Sequence, residues 1–352
     1  MSVNHIPKIA LLIVNFMLLA ISSMAIESPL LHQLLVEADT NPSLLAAREQ
    51  ISVAENRIDQ VRSLADPVLS IALSSYPLDS FKSDQTPMTG NEIRLAQMFP
   101  YPGKLDAKGR VAAKKSRWFA AAYQDARLQV RARVKDAWYR LLFQRQAIEL
   151  TERNLKLLDD FIRLTETRYE VGKGLQQNVL KAHLQRSRQL DKLLSLQQQE
   201  QATLAELNSL AGRNTDQLLE IDAPLKNTSS SFELSDLQLQ AEQRRPMFAA
   251  YAALIDQYKA ERELAKLDYR PDFTLWAGYR WRDDDLPDGG TDFVSTGISF
   301  NLPVRKGRRA AAVAEADSSL RLAFQKRNDF SNQVDLSIHR ALTNFEQAGK
   351  LA

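Results

Sequence analysis

The chain has 352 residues, enough for two domains or one elongated one, and its 46 Lys and Arg against 43 Asp and Glu leave a net charge of only +3, which argues against nucleic-acid binding by bulk charge. There is no cysteine, so disulfide scaffolds, thiolate zinc sites, cysteine nucleophiles and a lipid anchor on an N-terminal cysteine are excluded. Only 12 Gly and 13 Pro, roughly half the usual share, promise long uninterrupted elements.

Lys8 precedes an apolar run from Ile9 to Ile21, and Ser23-Met24-Ala25 follows with a small-x-small pattern. The run is shorter than the ~20 residues a spanning helix needs. It predicts a signal peptide over 1–25, cut after Ala25, and export across a bacterial inner membrane; a retained anchor is the alternative. No later stretch stays apolar long enough to span a bilayer as a helix.

Asn41-Pro42 predicts a helix start, with Leu44, Leu45, Ile51, Ala54, Ile58 and Val61 along it and Pro in its first turn. From Pro67 the period changes. Leu69, Ile71 and Leu73 alternate with Ser70, Ala72 and Ser74, and beyond a loop from Asp79 to Gly90, Ile93 and Leu95 alternate with Glu92, Arg94 and Ala96. Period two predicts two strands of an amphipathic hairpin.

No proline occurs from Gly103 to Ala223 and no glycine from Arg110 to Glu170, which licenses a very long helix. Its seam, Val130, Val134, Ala137, Leu141, Gln144, Ile148, Thr151, Leu155, Leu158, Ile162, Thr165 and Tyr169, steps alternately by four and three, a supercoiling period of 3.5. A second row, Trp138, Leu142, Leu157, Phe161 and Leu164, widens the apolar surface. A helix from about Lys104 to Val171 would run ~100 Å. The pattern breaks at Val171-Gly172-Lys173-Gly174 and resumes with Val179, Ala182, Arg186, Gln189, Leu193, Leu196, Glu200, Thr203, Leu207 and Leu210 until Gly212. Two glycines between heptad helices predict an antiparallel hairpin. The polar seam positions Arg186, Gln189 and Glu200 point to a wet interior.

The order then recurs. Pro42 and Pro67 stand as far apart as Pro246 and Pro271, an offset of 204 that also matches Ala46 with Ala250, Ile51 with Ile255, Leu69 with Phe273 and Ile71 with Leu275. A second hairpin follows: Phe273, Leu275, Ala277, Tyr279 and Trp281, a loop from Arg282 to Thr291, then Val294, Thr296, Ile298 and Phe300. Phe300-Asn301-Leu302-Pro303 answers Phe99-Pro100-Tyr101-Pro102, and Lys306-Gly307-Arg308-Arg309 opens another Ala-rich helix. The reading is a tandem duplication, 26–224 and 225–352. The second copy is incomplete on this expectation, because Ala352 corresponds to about residue 151 and the ~60 residues of the second helical tip have no counterpart.

Four amphipathic strands cannot close a barrel, which takes about eight, and open edges in lipid cost several kcal/mol per unpaired group. Either the sheet lies in water or several copies pool their strands. Tyr76, Phe99, Tyr101, Tyr279, Trp281, Phe293 and Phe300 stand at strand ends, as the interfacial girdles of a transmembrane barrel would; aromatics of an ordinary sheet edge are the alternative.

The order of signal peptide, short helix, strand pair, very long helix, glycine turn and return helix, begun a second time, resembles the outer-membrane efflux protein family, the TolC-type channels of Gram-negative bacteria. The residues that carry the resemblance are Asn41-Pro42 with Ala54-Glu55, Asp66-Pro67-Val68-Leu69, Gln97-Met98-Phe99-Pro100-Tyr101-Pro102-Gly103-Lys104, Tyr169-Glu170-Val171-Gly172 with Val179-Leu180-Lys181-Ala182, and Arg270-Pro271-Asp272-Phe273. The Phe-Pro-Tyr-Pro-Gly-Lys stretch is similar to the branch associated with heavy-metal efflux. The resemblance implies a mainly α protein with a small β part: long coiled-coil helical hairpins and four strands per protomer. It implies a homotrimer whose twelve strands form one outer-membrane barrel, continued by an α-helical tunnel through the periplasm. Its implied partners are outer-membrane lipid, an inner-membrane pump and a periplasmic adaptor (membrane fusion) protein, within a tripartite efflux or type I secretion-like system. Family helix tips meet the adaptor, which here points to Val171, Gly172, Lys173, Gly174, Val179 and Leu180. Family gates lie on the second hairpin, so no gate residue is carried over.

Catalytic patterns are missing. His32, His183 and His339 stand in no HExxH or HxxH spacing, and no G-x-S-x-G, G-x-G-x-x-G or G-x-x-x-x-G-K-[ST] occurs; no enzyme, cofactor or metal is expected. Asp283, Asp284, Asp285 and Asp288 are rich in the hard oxygens that attract Ca²⁺, but the repeat places them in an external loop, and a solvated acidic loop is the preferred reading. Asp159, Asp160, Glu166 and Glu170 are either an acidic collar near the tip or a solvated helix face. The rivals to a passive channel are a periplasmic coiled-coil adaptor or scaffold, which the repeated strand pairs disfavour, and a truncated, non-functional channel relic.

Overall fold

The structure, a computed structural model, describes residues 28–221, 231–286 and 288–351. The expected signal peptide over 1–25 and the repeat boundary after 224 lie outside them. Among the described residues the chain order is α1 (Pro29–Ala38), α2 (Pro42–Arg62), β1 (Val68–Ser74), β2 (Gly90–Phe99), α3 (Lys104–Glu170), α4 (Gln176–Ala211), α5 (Leu234–Arg244), α6 (Pro246–Leu267), β3 (Phe273–Trp281), β4 (Phe293–Phe300) and α7 (Lys306–Leu351). The fold is mainly helical with one small sheet, as expected. No described helix is long and apolar enough to cross a membrane. The chain divides into two compact units, Met1–Leu45 with Ala126–Thr228, and Ala46–Asp125 with Ser229–Ala352.

The first unit is built on the α3–α4 hairpin. The heptad seam is the buried row: Val134, Ala137 and Leu141 are fully enclosed, together with Leu207 and Leu210 of α4. The second row behaves differently at its two ends. Trp138 and Leu142 are buried because α1 lies over them with Leu31, Leu34, Leu35 and Ala38, whereas Leu157, Phe161 and Leu164 are exposed. Helix α1, which follows Ser28 with Pro at its start, escapes the periodicity reading above, and so does α5.

Two of the polar seam positions, Arg186 and Glu200, find ion-pair partners across the hairpin while remaining partly exposed to water. Arg186 Nε donates to Asp159 Oδ1 at 2.6 Å, and Arg145 Nε to Glu200 Oε1 at 2.8 Å. Charge pairs at seam positions fix the register of two helices where Leu pairs would slide. The carboxylate of Asp39, just past α1, is gripped by two arginines one turn apart on α3, Arg127 (2.9 and 2.7 Å) and Arg131 (3.1 and 3.0 Å). Asn41 serves two helices. Its Oδ1 accepts the Ser43 N–H at the start of α2 (3.0 Å), and its Nδ2 donates to the Ser209 and Leu210 carbonyls in the last turn of α4, where helical carbonyls run short of backbone donors.

In the second unit α6 packs on α7 through Phe248 and Tyr251 against Phe330, with ring centroids 5.1 and 5.3 Å apart, and through the Arg262–Asp317 pair. The sheet is an antiparallel meander, β1-β2-β3-β4. The two hairpins join through β2 and β3, which pair from Asn91 with Trp281 to Phe99 with Phe273. Strands β1 and β4 are the edges.

Candidate functional site

The register settles what each face of the sheet carries. On one face Ile71, Ile93, Tyr279 and Val294 lie in one row, Leu69, Leu95, Ala277 and Thr296 in the next, and Phe99, Phe273 and Phe300 at the helix-proximal end. This face is largely apolar, with Asn91 and Gln97 among its polar members, and exposed; Ile71 is 71% and Val294 74% accessible. The three phenylalanines stack side by side, with centroids 5.4 and 6.5 Å apart, while Tyr279 and Trp281 stand at the loop end of the same face. The opposite face carries Ser70, Arg94, Gly278 and Ser295 in one row and Ala72, Glu92, Arg280 and Phe293 in another. A sheet that is apolar on one face and polar on the other, with aromatics at the margins, has the pattern that a transmembrane barrel wall shows.

Sheet and helices are clamped by Asp272. Its carboxylate accepts the Tyr101 N–H at 2.8 Å and the Lys104 ammonium at 3.0 and 3.2 Å, while Asn301 Oδ1 accepts its backbone N–H at 2.6 Å. Burial works against the Asp272 carboxylate, but the Tyr101 amide and the Lys104 ammonium outweigh it and hold the carboxyl below its usual range. Both prolyl motifs of the sequence therefore meet at one anion, where β2 hands over to α3 and β3 begins.

At the far end of α3 the chain turns by a Schellman motif. Gly172 has φ +73°; its N–H reaches the Tyr169 carbonyl at 3.0 Å and the Lys173 N–H reaches that of Arg168 at 2.8 Å. The expected tip residues gather here. Val171, Gly172, Lys173 and Leu180 are exposed, and Gly174 and Val179 are partly covered. Leu175 and Leu184, which the sequence reading left out, extend the exposed apolar surface. A cleft of about 400 Å³ opens beside the turn among Phe161, Leu164, Leu175 and Ala182.

The family-model comparison matches residues 32–213 to "outer membrane efflux protein", more than half of the chain. The chain belongs to the outer-membrane efflux protein family. None of the curated proteins matches it. Among solved structures it is similar to the outer-membrane channel OprN (TM-score 0.73, 18% identity, 92% of this chain and 75% of that one). It is also similar to VceC of Vibrio cholerae (0.72, 22%, 90% and 79%) and to the open state of the MtrE channel of Neisseria gonorrhoeae (0.70, 17%, 91% and 74%). At such identities the likeness shows the fold, that of TolC-type channels. An efflux channel of this family resides in the outer membrane and extends into the periplasm, and the family is one of ducts, not of catalysts.

The remaining candidates are spent on structure. Asp159 pairs with Arg186 and Asp160 with Arg163, so two members of the supposed acidic collar are neutralised, and Glu166 Oε1 lies 3.1 Å from His183 Nε2. In the loop after β3, Asp288 pairs with Arg282 at 2.7 Å and Asp283 accepts the Ser83 hydroxyl. Those partners hold both carboxyls below their usual range. No group of three or more His, Cys, Asp or Glu that could hold a metal occurs among the described residues.

Proposed function

We propose that this chain is one protomer of a homotrimeric duct in which three copies pool twelve strands into one outer-membrane barrel. Its helices prolong the barrel as a passive path through the periplasm. The sheet carries the reading: it exposes a largely apolar face and leaves the outer edges of β1 and β4 unpaired, and backbone groups at such edges are satisfied in lipid only when further strands close the ring. The duct serves a tripartite efflux or type I secretion-like system. An inner-membrane pump chooses the cargo, and a periplasmic adaptor seats on the tip at Val171, Gly172, Lys173, Gly174, Val179 and Leu180. No bond is made or broken in the chain. We further read 26–224 and 225–352 as the two copies of a tandem duplication. In support, a helix that opens with proline and runs 21 or 22 residues precedes two strands and a long helix in each.

Expressed as the whole chain in a Gram-negative cell, the protein is expected in the outer-membrane fraction, running as a trimer in unheated detergent gels. Recovery as a monomer from the soluble periplasm alone would sink the reading in favour of a coiled-coil adaptor.

A further inference from the structure

The four strands hold three charged residues in all: Glu92 and Arg94 on β2 and Arg280 on β3. All three stand on the polar face, and the register puts Glu92 directly opposite Arg280. Glu92 Oε1 accepts Arg94 Nε and Nη2 at 3.0 and 2.7 Å, and its Oε2 accepts Arg280 Nη2 at 3.2 Å. One carboxylate thus faces two guanidinium groups, and a positive charge is left over. The cover is uneven as well. The Glu92 side chain is 14% accessible beneath the two arginines, which remain 43% (Arg94) and 35% (Arg280) accessible.

The arrangement is held in place by its neighbours. The Arg94 guanidinium lies over the Trp276 ring, 4.3 Å from its centroid, an attraction that orients the cation without neutralising it. The ring lies flat on the wall because Gly297 has no side chain; a Cβ there would come within 2.5 Å of the indole.

We propose that Arg94 and Arg280 form a cationic belt inside the barrel that favours the passage of anions, inorganic or organic, over cations. The inference rests on the duct reading, which turns this face towards the water-filled lumen. Three copies then place three surplus positive charges at one level of the pore, between low-dielectric walls that strengthen their field.

Reversal potentials of the purified whole chain in planar bilayers under a KCl gradient test it. Arg94→Gln combined with Arg280→Gln is expected to lower the chloride-to-potassium permeability ratio severalfold. Ser295→Glu, in the same row as Arg94, is expected to do so without removing any member of the cluster, and it decides alone if the double variant does not conduct. Both shifts should shrink as KCl rises from 0.1 M, where the screening length is about 10 Å, to 1 M, where it is about 3 Å. Unchanged reversal potentials at unchanged conductance overturn the belt and leave the duct standing. A wild-type chain that inserts but carries no current overturns the duct itself.

Discussion

Asp39 shows how single residues hold this fold. The two guanidinium groups of Arg127 and Arg131 close on its carboxylate from successive turns of α3, and hydrogen bonding from Arg127, the stronger influence, holds its carboxyl below the ordinary range against the cost of burial. A native carboxyl with a lowered pKa contributes its full stability above the unfolded value of about 3.9, and that contribution is lost as pH falls through the native value. Asp39→Asn is therefore expected to cost about 2 kcal/mol at pH 7, the worth of hydrogen bonds to a charged acceptor, seen as a lower melting temperature. The gap should begin to narrow below about pH 4, where the unfolded chain's carboxyl takes up a proton, and close as pH falls through the lowered native value; a gap that persists unchanged at pH 3 would refute this account. Asn41 and Asp272 were visible in the sequence only as members of Asn-Pro and Pro-Asp motifs. Their duties lie across separations of 168 to 171 residues, which no local pattern encodes.

Among elements, the long helices and all four strands are legible because their signals are periodic and uninterrupted: α3 ends at Glu170, one residue before the break at Val171, and alternation marks each strand. Helices α1 and α5 went unread because at 10 and 11 residues they offer fewer than four turns, and α1 follows the apolar run from Ile9 to Ile21 too closely in sequence to stand out. The partners of the polar seam residues were also out of reach, since nothing local places Asp159 opposite Arg186 or Arg145 opposite Glu200. At the hairpin end the logic reverses. Leu157, Phe161 and Leu164 continue an apolar row that nothing in this unit covers, and Val171, Leu175, Leu180 and Leu184 add to it around the turn. Bare leucines on a charged coiled coil are what an incoming adaptor would bury. Leu180→Asp is expected to leave helix content and trimer formation unchanged while weakening adaptor binding about 30-fold, the loss of about 2 kcal/mol that marks a central interface contact. Equal adaptor recovery by pull-down with variant and wild type would remove Leu180 from the interface.

For the whole molecule, the decisive quantity is how the two faces of one sheet are solvated. A soluble four-stranded sheet buries one face against helices, yet here Leu69, Ile71 and Leu73 on β1 and Val294, Ile298 and Phe300 on β4 are all exposed, which is the solvation the proposed duct requires of a lipid-facing wall. Alternation alone could not separate this from a water-soluble hairpin, because both have period two; the register that aligns β2 with β3 joins the faces of the two hairpins. Neighbouring residues then provide a matched test. Ile71 and Ser70 stand on opposite faces of β1, so Arg at Ile71 would enter hydrocarbon and Arg at Ser70 would enter the lumen. An arginine near the midplane costs about 2–4 kcal/mol, and a trimer repeats that cost in each copy. Ile71→Arg is expected to deplete the heat-modifiable trimer in the outer-membrane fraction. Ser70→Arg, with the same added charge one residue away, is expected to assemble like the wild type. Equal assembly of the two variants would mean that Ile71 does not face lipid, and the barrel would have to be rebuilt with its faces exchanged.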